Sequence, residues 1–123
     1  MKTLILYSSR DGQTKKIAEF MAQHLEGEVV VSPLMEEQDL QVFDRVIIGA
    51  SVRYGHFNKQ VYRFVERHHE LLNAKSAVFF GVGLTARKEG KDTPEGNVYV
   101  RKFLQHIKWT PVKVGVFAGA LLY

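Results

Sequence analysis

No cysteine occurs among the 123 residues, which excludes disulfides, thiolate metal sites, iron–sulfur clusters and a cysteine nucleophile. Long apolar runs are missing too. The longest, residues 114–123, is about half of what a membrane-spanning helix needs. Near the start, Lys2 is followed at once by Thr3, Leu4, Ile5, Leu6 and Tyr7, too short a stretch for the apolar part of a signal peptide. A cytoplasmic location is the expectation by elimination. His24, His68, His69 and His106 share no metal-ligand spacing, so no metal site is expected. Internal repeats and low-complexity segments are absent.

What is present reads as a single domain over residues 1–123, since this length leaves room for little else. A hydrophobic content of 46% is too high for a disordered chain. The charge is unevenly placed. Net charge is +4, and residues 87–113 hold seven basic side chains against three acidic ones, so this window carries the whole surplus. A local positive patch favours an anionic partner such as lipid headgroups, nucleic acid or a carboxylate-bearing substrate. A solvated basic face without a partner is the plainer alternative. No recognition motif accompanies the charge, which argues against nucleic acid.

Short apolar runs alternate with amphipathic stretches. Residues 3–7 form a continuous β-favouring run, the mark of a strand buried on both faces. Residues 14–25 place Ile17, Met21 and Leu25 four apart beside Ala18 and Ala22, which predicts a helix ended by Gly27. Val29, Val30 and Val31 mark a second strand, and residues 46–50 a third. Residues 33–41 are poorly periodic and predict a loop or a single helical turn. A second helix over 58–72 turns Val61, Phe64, Val65, His68 and Leu72 to one side, and 77–82 is a fourth strand. Asn97 is placed to cap a helix carrying Val100, Phe103, Leu104 and Ile107 inward. Pro111 breaks that helix near Trp109, and residues 113–117 start a fifth strand. Strand and helix alternate, so the fold class is α/β: a three-layer, doubly wound, five-stranded parallel sheet in the order 2-1-3-4-5. In such sheets ligands bind beyond the carboxyl ends of the strands. That predicts a site built from the loops after Tyr7, Ala50 and Val82.

The first of these loops holds Ser8, Ser9, Arg10, Asp11, Gly12, Gln13 and Thr14. It offers three hydroxyls, backbone N–H groups around a glycine, and the positive end of a helix dipole, which together suit a phosphate. The spacing is neither G-x-G-x-x-G nor a loop ending in G-K-[ST], so no dinucleotide or nucleoside-triphosphate motif is present. An ordinary Asp-Gly turn capping a helix is the alternative for this loop alone. The segment resembles the phosphate loop of the flavodoxins, with Asp11 in place of the usual threonine.

That resemblance implies a flavodoxin-like fold and an FMN cofactor. It assigns Ala50, Ser51, Val52, Arg53, Tyr54 and Gly55 to the flavin, with Tyr54 as the ring stacked on the isoalloxazine. Val82, Gly83, Leu84, Thr85, Ala86 and Arg87 take the other flavin face. Flavodoxins often carry acidic and aromatic residues in this last loop, whereas Leu84, Arg87 and Lys88 stand here. Positive charge near the ring favours the anionic reduced flavin and raises its potential.

A closer resemblance rests on residues 9–14, on 46–56 with Ser51, Arg53, Tyr54, Gly55 and His56, and on Ala86, Arg87 and Lys88. Together they are similar to the bacterial menaquinone-dependent protoporphyrinogen IX dehydrogenases of heme biosynthesis. This implies electron transfer from a reduced tetrapyrrole to FMN and on to a quinone, with peripheral contact at the cytoplasmic face of the inner membrane. Arg53, as a propionate partner, and His56, as a proton acceptor, are the candidate catalytic residues. Members of that family continue with a basic, apolar insert in the fifth strand and a last helix. Here the last helix is missing, so the resemblance implies FMN binding without assured activity. It also implies a sheet face open to self-association. A carrier that shuttles electrons between proteins is the alternative, and it calls for an acidic docking face that the sequence lacks.

Overall fold

The computed structural model describes residues 2–8, 12–35, 38–53, 56–82 and 98–117. Among them lie β1 (Lys2–Ser8), α1 (Gln13–Gln23), β2 (Glu28–Pro33), β3 (Arg45–Arg53), β4 (His56–Phe57), α2 (Lys59–Ala74), β5 (Ser76–Val82), α3 (Val98–Gln105) and β6 (Lys113–Phe117). The sheet runs β2-β1-β3-β5-β6 with every neighbouring pair parallel. The two-residue β4 folds back antiparallel on β3. With β4 set aside, the five long strands stand in the order 2-1-3-4-5 read from the sequence.

Burial explains why these segments became strands. Leu4, Ile5 and Leu6 of β1 and Val46 to Ala50 of β3 are buried, as strands covered on both faces must be. The two faces have separate cores. On one, Ile17 and Ala18 of α1 pack on Ile5, Ile47, Phe80 and Val82. On the other, Val61, Phe64, Val65 and Leu72 of α2 and Val100 and Phe103 of α3 pack on Leu4, Leu6, Val46, Ile48 and Phe79. Of the stretch 33–41, read as a loop or single turn, Pro33 ends β2, and Leu34 and Leu40 are buried in the α2–α3 core together with Phe43 just beyond it. Lys75 fastens its far end by donating to the Phe43 carbonyl at 2.6 Å.

Several boundaries differ from the sequence reading, each for a physical reason. Helical bonding in α1 stops at Gln23, two residues before Leu25, although Leu25 still packs on the sheet. Apolar periodicity therefore outlasts the helix. Gly27 (φ 85°) lies in the turn before β2 rather than at the helix end. In α2, Asn58 is the cap, its Oδ1 accepting from the Gln60 N–H at 2.8 Å, and the helix continues two residues past Leu72 to Ala74. The third strand runs to Arg53 instead of ending at Ala50, because β4 supplies pairing partners for Val52 and Arg53. Asn97 lies outside the described residues.

The α1 face is only partly covered. Beside α1 runs an apolar groove of about 250 Å³ lined by Ile17, Phe20, Met21, His24, Leu25 and Ile47. Phe20 is 60% exposed there and its ring tilts against His24.

Candidate functional site

Strand register gathers the predicted loops. Ser8, the last residue of β1, lies opposite Ala50, while Ser51 lies opposite Val82, the last residue of β5. Adjacent strands stand about 4.8 Å apart, so the three loop roots fall within about 10 Å along one edge. This edge is where the order reverses, with β2 on one side of β1 and β3 on the other. The crevice at such a reversal is where ligands bind in open parallel sheets.

The first root has the features of an anion cradle. Gly12 sits at the N-cap of α1 with φ 84°, in the left-handed region that glycine occupies without a Cβ penalty. No described atom lies within 4 Å of where its Cβ would be. Its carbonyl accepts from Lys16 N–H at 3.1 Å, closing the first turn. A glycine cap brings no side-chain oxygen, and the first turn contains no acidic residue. Among the described residues, no acidic side chain competes with an anion for the helix N-terminus.

Thr14 supplies the strongest single feature. Its side chain is fully buried, and among the described residues its Oγ1 has no hydrogen-bond partner. Leaving a buried hydroxyl unsatisfied costs about 1–3 kcal/mol. A phosphate oxygen at this helix end would remove that cost, so the residues present fit the phosphate of a flavin nucleotide.

The second root is a hairpin rather than a free loop. Val52 pairs antiparallel with Phe57 and Arg53 with His56 at the sheet edge. Phe57 anchors this hairpin. It is fully buried and meets the rings of Phe79 and Phe103 edge-on at 5.5 and 5.4 Å. Gly81 leaves it room, since a Cβ at that position would approach the Phe57 ring to 3.1 Å. Gln60 ties the hairpin's exit to the loop after β2, its Nε2 donating to the Leu34 carbonyl at 3.2 Å. The sequence reading missed both residues. An isolated phenylalanine just before a helix cap was the available signal for Phe57, and none marks Gln60.

The structure therefore brings together Ser8, Gly12, Thr14, Ala50, Ser51 and Val82, along with the backbone of Gln13, Val52, Arg53 and His56. Ser9, Arg10, Asp11, Tyr54, Gly55, Gly83, Leu84, Thr85, Ala86 and Arg87 lie outside the described residues. Among the described residues no group of three or more His, Asp or Glu could hold a metal ion. None of their helices is long and apolar enough to cross a membrane.

Comparison with known proteins places this geometry. The flavodoxin domain family matches residues 4–123. The protoporphyrinogen IX dehydrogenase [quinone] of Escherichia coli (strain K12) is 45% identical over 128 residues, spanning 100% of this chain and 71% of that protein. Among solved structures, a flavoprotein in complex with FMN from Lactobacillus acidophilus NCFM superposes with a TM-score of 0.69 at 17% identity, covering 94% of this chain and 92% of its own. Oxidised flavodoxin 2 from Bacillus cereus gives 0.66 at 22% identity over 96% and 84%. At these identities the two structures speak for the fold.

Proposed function

The chain belongs to the flavodoxin domain family and, within it, to the quinone-dependent protoporphyrinogen IX dehydrogenases, and from that premise we propose how its residues serve the reaction. It is an FMN-dependent oxidoreductase that oxidises protoporphyrinogen IX to protoporphyrin IX with a quinone as acceptor. FMN supplies the redox-active ring that takes electrons from the tetrapyrrole and passes them to the quinone.

The protein's own part is to seat and orient. Gly12 lets the backbone approach the flavin phosphate, the N-terminus of α1 supplies N–H donors, and Thr14 donates its buried hydroxyl. Ser8, Ser9, Arg10, Asp11 and Gln13 complete that loop. The hairpin rooted at Ala50 and Ser51 presents Tyr54 to the ring, and the loop from Val82 to Arg87 closes the opposite face. Arg53 holds a propionate of the substrate, for which a guanidinium is geometrically suited. His56, paired with it across the hairpin, accepts a proton as the tetrapyrrole is oxidised. Menaquinone is the acceptor, on the resemblance carried by residues 9–14 and 46–56. The protein works peripherally on the cytoplasmic face of the inner membrane, as a lipid-dissolved acceptor and the surplus of positive charge both favour. A second copy covers the apolar groove beside α1.

The buried hydroxyl of Thr14, without a partner among the described residues, carries the cofactor assignment. It is tested by the visible absorption spectrum of the purified protein before and after FMN is added, with a flavin spectrum expected and its absence refuting the reading. The substrate role of Arg53 is tested with Arg53→Ala, which should raise KM for the porphyrinogen about ten- to hundredfold, the value of a charge-assisted contact. An unchanged KM would sink it.

A further inference from the structure

We infer that the outward face of α2 is a docking surface for an anionic lipid bilayer, an inference that rests on the peripheral reading above and names its point of contact. Lys59, Arg63 and Arg67 are all exposed and lie four residues apart, so they form one stripe about 12 Å long on the helix. Val61, Phe64, Val65 and Leu72 face the other way, into the core. Lys102 is exposed on α3, which packs beside α2 through the Tyr62 and Phe103 rings at 5.1 Å. Neither ion pair found among the described residues involves these four cations. The carboxylate of Glu66, on the side of α2 that faces α3, is already held by Lys108 at 3.5 Å.

The spacing of the cations does little to hold the helix together. Lys59 is the first residue of α2, at the positive end of its dipole, and the first turn contains no acid to offset it. Lys59 and Arg63, and again Arg63 and Arg67, are like charges at i and i+4, a spacing that destabilises a helix, and the exposed Glu66 and Glu70, three residues beyond Arg63 and Arg67, offset only part of that repulsion. An anionic surface reverses the sign of both effects. A plane of headgroups suits a straight outward stripe, whereas single-stranded nucleic acid is gripped by exposed aromatic platforms. The exposed side chains along this face of α2 are charged or polar. The stripe also begins two residues beyond Phe57 of the hairpin. Contact here therefore holds the site end of α2 close to the bilayer in which a quinone is dissolved.

The experiment is co-sedimentation of the FMN-loaded protein with phosphatidylcholine vesicles, with and without phosphatidylglycerol. The parent protein should bind only the anionic vesicles, and added salt should weaken binding. Each Lys or Arg near such a surface is worth about fivefold in partitioning, so Arg63→Gln should lose about fivefold and the triple variant Lys59→Gln/Arg63→Gln/Arg67→Gln about a hundredfold. Circular dichroism and FMN content should be unchanged in both, and the single variant decides the matter if the triple misfolds. Lys15→Gln/Lys16→Gln, on the opposite face of the sheet, should bind nearly as the parent does. If the parent binds but the α2 variants bind equally well, this surface is wrong and the peripheral reading survives. If the parent ignores anionic vesicles, both fall. Tighter binding to RNA than to vesicles would replace the lipid with a nucleic acid and overturn the inference.

Discussion

Gly49 of β3 and Phe80 of β5 are partners in register, and the phenyl ring lies so close over the glycine that an added Cβ would fall within it. This contact lets a large aromatic seal the α1-side core directly below the strand ends that root the site.

Gly49→Ala should accordingly be costly. Overpacking a rigid core is worth about 1–3 kcal/mol, which in a domain of this size lowers Tm by several degrees. Replacing Phe80 by Leu in the Gly49→Ala background should recover part of the loss. Thermal denaturation of the single and double variants checks this, and equal midpoints for Gly49→Ala and the parent would contradict it.

Thr14→Val should act in opposite directions on the empty and loaded protein. Without cofactor, removing a buried hydroxyl that has no partner among the described residues should leave stability unchanged or slightly higher. With FMN, one hydrogen bond to a charged group is lost, so affinity should fall about ten- to hundredfold. Riboflavin, which has no phosphate, should bind both proteins alike. Fluorescence titration with the two flavins separates a phosphate contact from general disruption.

The Tyr62 phenol, half-buried against Phe103, has its pKa raised above the ordinary 10.0 by desolvation. The unfolded chain therefore releases this proton at lower pH than the folded one. Its contribution to stability is complete below pH 10 and is lost as pH rises through the raised value. Denaturant unfolding between pH 9 and about 11.5 should show a decline that is shallower in Tyr62→Phe. Identical slopes would remove Tyr62 as the cause.

Phe20→Lys should disrupt self-association through the groove beside α1, where Phe20 is an exposed apolar wall. Sedimentation of the parent should show a dimer that this substitution converts to monomer without changing FMN content. A monomeric parent protein would dispose of that proposal.

Much of the architecture was legible because it is written in local pattern. Leu4, Ile5 and Leu6 announce a strand buried on both faces, and Val61, Phe64, Val65 and Leu72 mark the inner side of a helix. The misjudged points depend on partners distant in sequence or on backbone bonds that side chains do not advertise. Ser51, Val52 and Arg53 read as loop because they are mixed in character, yet Val82 of β5 pairs with Ser51 and β4 with Val52 and Arg53. Leu25 prolongs the apolar periodicity of α1 after its hydrogen bonds have stopped. The same holds at the site. The Thr14 hydroxyl was visible as a residue near a helix start, but its complete burial, without a partner among the described residues, is a tertiary fact. The contact of Gln60 with Leu34 spans 26 residues and follows no motif.

The central claim is that this chain oxidises protoporphyrinogen IX through FMN with a quinone as acceptor. The most direct measurement strips the flavin, then follows protoporphyrin fluorescence and quinone reduction together, without oxygen, before and after FMN is restored. The account predicts that both signals appear only with FMN and rise in fixed proportion. Porphyrin formation that is indifferent to FMN, or FMN reloading with neither signal, would contradict it.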